Sequence, residues 1–175
     1  MPFLHLTTRL RLREMTVDDA AHAFELNSDP DVVRYTGDGP FASVQEAAEF
    51  LAAYDHYRKY GFGRWAVERI EDGEWLGWCG LKYTPAKDEY DLGFRFLRRH
   101  WGHGYATEAA LACLMLGFHD FGMQEIVGRA MAENSASIRV LEKVGMQLVG
   151  PYDFDGEAGV LYRIDKGMWL SRNPM

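Results

Sequence analysis

Between Tyr90 and Leu97 the chain alternates, with Tyr90, Leu92, Phe94 and Phe96 on one side and Asp91, Gly93, Arg95 and Leu97 on the other. A period of two predicts a strand. Further along, the period lengthens. Leu111, Leu114, Met115 and Phe118 recur at i, i+3, i+4 and i+7, and Ala106, Ala109, Ala110 and Ala112 add helix propensity. This predicts a helix from Tyr105 to Phe121, capped by Gly122. The turn Arg99-His100-Trp101-Gly102-His103-Gly104 joins the two, leaving a strand end and entering a helix start.

Upstream, Leu10, Leu12 and Met15 alternate with Arg9, Arg11 and Arg13, as in a strand with one wet face. Thr16-Val17-Asp18-Asp19 offers a cap followed three residues later by an acid, leading into a helix over Ala20 to Asn27. A loop through Asp31 to Gly37 follows, and Ser43 caps a second helix running to about Tyr60. Gly61 to Ile70 and Glu74 to Leu81 read as strands joined at Asp72-Gly73, a tight hairpin signal. With the Tyr90 strand they form an antiparallel meander. The long helix then acts as a crossover, so Ile126 to Met131 lies parallel to the Tyr90 strand. Asn134 and Ser135 cap a short helix ended by Gly145, and strands near Met146 to Val149 and Gly159 to Asp165 turn around Asp155-Gly156.

The length of 175 residues predicts a single domain spanning 1–175, and 47% hydrophobic with 14% aromatic residues supplies a substantial core. Nineteen basic against 26 acidic side chains give a net charge of −7, which opposes broad nucleic-acid binding and requires any anionic ligand to be met by a local patch. Cys79 and Cys113 lack metal-ligand spacing and read as small core residues; His100 and His103 have no third ligand, so no metal is expected. Met1-Pro2-Phe3-Leu4-His5 lacks the regions of a signal peptide, and no apolar run approaches the ~18 residues that span a bilayer. A cytoplasmic protein that does not engage membranes is the expectation.

A glycine-bearing turn entering a helix presents unpaired N–H groups at the positive end of the helix dipole, which suits phosphate. Gly104 is followed by Tyr105 and Ala106 rather than Lys and Ser/Thr, against a nucleoside triphosphate loop. Thr107 stands where a dinucleotide fingerprint needs its third glycine, and Glu133 is too far along the chain for the ribose acid, which leaves that reading a weak competitor.

Arg99, Gly102 and Gly104, in Arg-x-x-Gly-x-Gly, together with Asn134-Ser135-Ala136-Ser137 through Gly145-Met146, resemble the cofactor region of the GNAT superfamily of N-acetyltransferases. The details are closest to the subgroup of ribosomal-protein N-terminal acetyltransferases, and the likeness runs from Thr8 to about Trp169. The resemblance implies an α+β, three-layer fold: a mostly antiparallel sheet with one parallel strand pair splayed around acetyl-CoA, flanked by about four helices. It implies direct transfer of acetyl to a primary amine, either a protein N-terminus or a small molecule, and a possible homodimer. Turn residues His100, Trp101, Gly102, His103, Gly104, Tyr105 and Ala106, with Arg99, would hold the pyrophosphate, the strand edge at Phe96 and Leu97 the pantetheine arm, and Asn134 and Ser137 a further cofactor contact.

Deprotonation of the amine falls to Asp91 or Glu89, with Asp91 preferred because it shares its face with Gly93; a plain solvated carboxylate is the competing reading. Many relatives use a tyrosine four residues before the closing glycine as the acid, where this chain has Leu141, so the subgroup points to Ser137 instead, unless Ser137 only packs within a capped helix start. Tyr35, Trp65 and Tyr152 are the candidate acceptor contacts, although Trp65, Trp75 and Trp78 equally suit the core. The missing tyrosine also leaves room for a non-catalytic CoA-binding module.

Overall fold

The computed structural model describes residues 4–174; the opening Met1-Pro2-Phe3, read above as free of a leader, lies outside them. Eight strands form one sheet: β1 (Leu4–Leu6), β2 (Leu10–Glu14), β3 (Arg64–Arg69), β4 (Trp75–Thr84), β5 (Glu89–Phe96), β6 (Glu125–Met131), β7 (Gln147–Phe154) and β8 (Glu157–Asp165). Their order is β1-β2-β3-β4-β5-β6-β8-β7, with β5 and β6 parallel and every other neighbouring pair antiparallel. The predicted hairpin is present, with Gly73 at φ +74°.

Helices cover both faces. On one lie α1 (Ala20–Ser28), α2 (Pro30–Val33) and α3 (Val44–Ala53); on the other lies α5 (Tyr105–Met115), flanked by α6 (Ser135–Lys143) and α7 (Lys166–Arg172), while α4 (His56–Tyr60) packs Tyr57 and Tyr60 against the α5-side core. The four expected helices are α1, α3, α5 and α6, and three shorter ones add to them. α2 begins with Pro30 under a cap from Asp29, a helix-start signature inside what the sequence reads as loop. The expected helix to Tyr60 breaks at Tyr54, which is extended. The break turns two tyrosine hydroxyls toward β3: Tyr54 Oη accepts from Arg64 N–H, and Tyr57 donates to the Arg64 carbonyl. The crossover helix ends in a π turn over Leu116–Asp120, closed by Phe121 N–H to Leu116 O at 3.0 Å.

The main core lies between the sheet and α5, where Leu12, Trp65, Val67, Leu81 and Leu92 meet Ala109, Cys113 and Leu114. Cys79 and Cys113 are both buried within it, their sulfurs 3.6 Å apart. Ala66, Trp75 and Leu97 face the other way, onto Leu26 and Val32. The capping box at Thr16 is completed by Asp19, which is 3% exposed and accepts a two-pronged bond from Arg13 at 2.8 and 2.9 Å. No helix among the described residues is long and apolar enough to cross a membrane.

Candidate functional site

The parallel strands touch only briefly, at Asp91↔Val127 and Leu92↔Gly128. Beyond these pairs each follows its other neighbour, β5 staying with β4 to Phe96↔Gly77 and β6 with β8 to Met131↔Gly159, so a gap opens between them. Leu97 N–H donates to Leu76 O at 2.9 Å, which by alternation turns the amides of Gly93 and Arg95 toward β4 and those of Phe94 and Phe96 toward the gap. The Phe96 carbonyl is taken by Trp101 Nε1 at 2.8 Å. The free strand edge is therefore Phe94 and the N–H of Phe96. Leu97, expected to share it, is 3% exposed and packs against α1 and α2.

The glycine turn stands at the mouth of this gap. Gly102 and Gly104 both have φ +79°, a left-handed conformation that a β-carbon penalises, and Gly104 opens α5 with no side chain capping it. The N–H groups of Tyr105, Ala106 and Thr107, in the first helical turn, have no intrahelical acceptor. They border a cavity of about 430 Å³ to which Phe96, His100, Trp101, Gly102, Gly104, Tyr105, Ala106, Asn134 and Ser137 all contribute. Nine of the predicted cofactor contacts are thus brought to one place.

Arg99 and His103 are not. Arg99 is paired outward with Glu25 at 2.6 Å and Glu74 at 3.1 Å, fastening the turn to α1 and the β4 hairpin. His103 stacks on Tyr105 and leans on the His100 carbonyl. The positive charge of the turn itself, carried by Arg98 and Arg99, is largely taken up in ion pairs within the protein. Arg98 meets Asp29 and Asp31, and burial lowers the His100 pKa despite the Glu74 carboxylate 3.3 Å away, which pulls it up. The cations lining this cavity come from elsewhere: Arg34, Arg95, Arg139 and Lys143. The last two lie one turn apart on α6, a signal the sequence carried and the motif reading passed over.

A second cavity, of about 760 Å³, lies on the α1/α3 side of the split and shares Tyr35, Thr36, Phe94, Arg95, Asn134 and Ser137 with the first. Asp91 lines it, its Oδ1 accepting from Arg64 Nη2 at 2.7 Å. Glu89 is instead paired with Arg129 at 2.6 Å. Asn134 caps α6 by accepting from Ser137 N–H at 3.2 Å, which fixes the serine at the junction of the two cavities. Tyr35 borders both.

Two predicted acceptor contacts are elsewhere. Trp65 is 0% exposed and faces Phe121 in the α5-side core, because its strand neighbour Arg64 takes the cavity side; the indole that lines the cavity is Trp78. Tyr152 accepts a hydrogen bond from Lys87 and lies under Arg129, while Phe154, nearer the hairpin end of β7, reaches the cavity in its place. Among the described residues no three His, Cys, Asp or Glu side chains gather as a metal ion would need.

The helix-start amides of the turn, the free strand edge leading from it and the second cavity meeting its end lie together where the sheet splits. A model of the acetyltransferase (GNAT) domain matches residues 9–147. The Bacillus subtilis protein YkkB is 38% identical over 145 residues, which is 81% of this chain and 83% of that protein. A solved GNAT-family acetyltransferase from Bacillus anthracis superposes with TM-score 0.82 at 26% identity, over 94% of this chain and 99% of its own. RimL, a ribosomal L7/L12 α-N-protein acetyltransferase solved with coenzyme A, shares the fold at TM-score 0.78 and 16% identity, over 93% and 98%. The chain belongs to the GNAT family of acetyltransferases and is an acetyl-CoA-dependent acyltransferase.

Proposed function

We propose that the chain moves acetyl from acetyl-CoA directly to a primary amine held in the 760 Å³ cavity. The observation that carries this is the junction itself: the residues common to both cavities include Phe94, Asn134 and Ser137, at the point where β5 loses its parallel partner.

The residues fit the donor. Gly102, Gly104 and the N–H groups of Tyr105 to Thr107 form a cradle for pyrophosphate, with Arg139 and Lys143 beside it and no ion pair among the described residues to compete for them. The unpaired amides of Phe94 and Phe96 suit an extended, amide-bearing arm. Acetyl-CoA supplies an acyl group already activated as a thioester. The Phe94 N–H, preorganised and facing the gap, supports negative charge developing on a carbonyl oxygen there.

An amine of pKa roughly 8 to 10 must lose a proton before it attacks. We assign that to Asp91, acting through the oxygen that Arg64 does not hold, directly or by way of water. In Asp91→Asn kcat/KM should fall by roughly 10²-fold across about pH 6 to 9, the low end for a positioned base; an unchanged kcat/KM over that range would remove Asp91 from the role. Leu141 is 1% exposed and packed against Gly128, so its position offers no acid, and Ser137 takes the role of proton donor to the departing thiolate, its hydroxyl passing on a proton that it regains from water. Ser137→Ala should lower kcat by roughly 10²-fold, the low end for an acid acting on a good leaving group, with KM for acetyl-CoA little changed. Full turnover in that variant would reduce Ser137 to a packing residue.

The overall reading is tested by thiol release from acetyl-CoA with N-terminal peptides, polyamines, aminoglycosides and amino acids as acceptors. Binding without thiol release in every case would instead mark a CoA-binding module.

A further inference from the structure

Three arginines line the acceptor cavity, and they differ in what holds them. Arg64 is paired with Asp91 and Arg129 with Glu89, and both carboxylates are largely withdrawn from solvent, at 17% and 20% exposure. Each of those pairs joins two partly buried groups, and the Nε of Arg129, like that of Arg95, is buried with no hydrogen-bond partner among the described residues. Arg95 is 12% exposed, yet its carboxylate partner is Asp38, which is 58% exposed and rides on the segment between α2 and α3. Its other direct partners are neutral. Nη1 donates to Asn27 Oδ1 at 2.9 Å, the guanidinium lies 5.3 Å from the Trp78 ring, and Nε is buried with no hydrogen-bond partner among the described residues.

A nearly buried cation is costly without a countercharge. Here an amide and an indole set its direction, and the countercharge comes from a solvated loop residue that gives up little when displaced. Arg95 also shares its strand face with Asp91 and borders both cavities, so a group bound to it lies beside the amine's place of attack. Part of the surrounding wall is apolar, where Phe41 and Phe50, 5.7 Å apart, and Phe154 line the same cavity; Glu46 and Lys82 are among its charged members.

Resting on the N-acetyl transfer reading, we infer that the acceptor is a free amino acid with an apolar side chain, and that Arg95 holds its carboxylate in the place taken by Asp38. The guanidinium offers a carboxylate two parallel donors. A peptide N-terminus carries a neutral carbonyl at the corresponding position and has no charge to exchange for that of Asp38.

The test measures kcat/KM by thiol release for the proteinogenic amino acids, their primary amides, the matching decarboxylated amines and short peptides with the same first residue. The best amino acid should exceed its own amide on the order of 10- to 100-fold, the worth of a hydrogen-bonded charge pair. Arg95→Gln should erase that preference by raising the amino acid's KM. Asp38→Asn should lower the same KM, because it removes the competing carboxylate. These opposite directions separate substrate binding from a merely structural pair, whose loss from either side would act alike. Equal use of amides or peptides, or both variants raising KM together, overturns the inference while leaving N-acetyl transfer standing. Acetyl-CoA binding with no thiol release for any acceptor overturns both.

Discussion

Gly104→Val is expected to abolish acetyl-CoA binding while the protein stays folded. Space is not the obstacle: a β-carbon at Gly104 would meet only the end of the Arg9 side chain, at 3.4 Å. The backbone is. At φ +79° an L-residue pays about 1–2 kcal/mol, and a β-branched one is a true outlier, so the turn escapes by rotating out of the left-handed region. That rotation re-aims the N–H groups at the start of α5. Each hydrogen bond to a charged phosphate is worth about 1.5–3 kcal/mol, and losing two weakens binding by more than about 100-fold. The turn sits on the surface, outside the core, so the melting temperature should fall by only a few degrees. Calorimetric titration with acetyl-CoA, with ATP and NAD as controls, checks the first expectation and a thermal melt the second. Wild-type affinity in the folded variant would move the pyrophosphate away from this turn.

The largest effect on stability is expected from Arg13→Met. Asp19 is 3% exposed, and Arg13 satisfies both its oxygens while also reaching Glu68 at 3.1 Å. Removing the cation strands a buried carboxylate, which typically costs about 3–5 kcal/mol against a total stability of about 5–15 kcal/mol. The pH dependence carries a sign that checks the cause. Burial pushes the Asp19 pKa up, but the hydrogen bonds from Arg13 and from Thr16 N–H outweigh it, and the net pKa lies below the ordinary carboxylate value. In the wild type this group therefore stabilises the fold above the unfolded pKa of about 4, and the contribution is lost as pH falls through the lower folded value. In Arg13→Met burial acts with its main opponent gone and the folded pKa rises, so the variant should lose stability as pH increases through that raised value. Urea midpoints from pH 3 to 8 read both slopes. Adding Asp19→Asn should restore part of the loss, and parallel slopes in wild type and variant would show that Asp19 is not responsible.

Local chemistry made much of the molecule legible in advance. The Asp72-Gly73 hairpin, the Thr16 and Asn134 caps, the crossover helix and the glycine turn each depend on residues within a few positions of one another, and the structure has them all. The parallel pair followed from the crossover, because a strand reached through a helix returns in the same direction. Trp65 and Trp78 show where such reading ends. β3 and β4 are buried on both faces over much of their length, so neither has a polar side to mark which way an indole turns. Arg64 decides it, through a partner on β5 that is distant in the chain.

The sequence by itself determined most of the longer elements, their order and a glycine turn at the start of α5, because helix caps, positive-φ glycines and hydrophobic periods act over one or two turns of chain; the short β1, α2 and α7 and the break before α4 escaped it. Only the tertiary structure decided which charges that turn keeps. Arg98 and Arg99 belong to Asp29, Asp31, Glu25 and Glu74, while Arg139 and Lys143 arrive from α6. It also decided where the sheet opens, since β5 and β6 part only because each remains bonded to its other neighbour. Pairings between residues far apart in the chain set both outcomes, and no local pattern records a long-range partner.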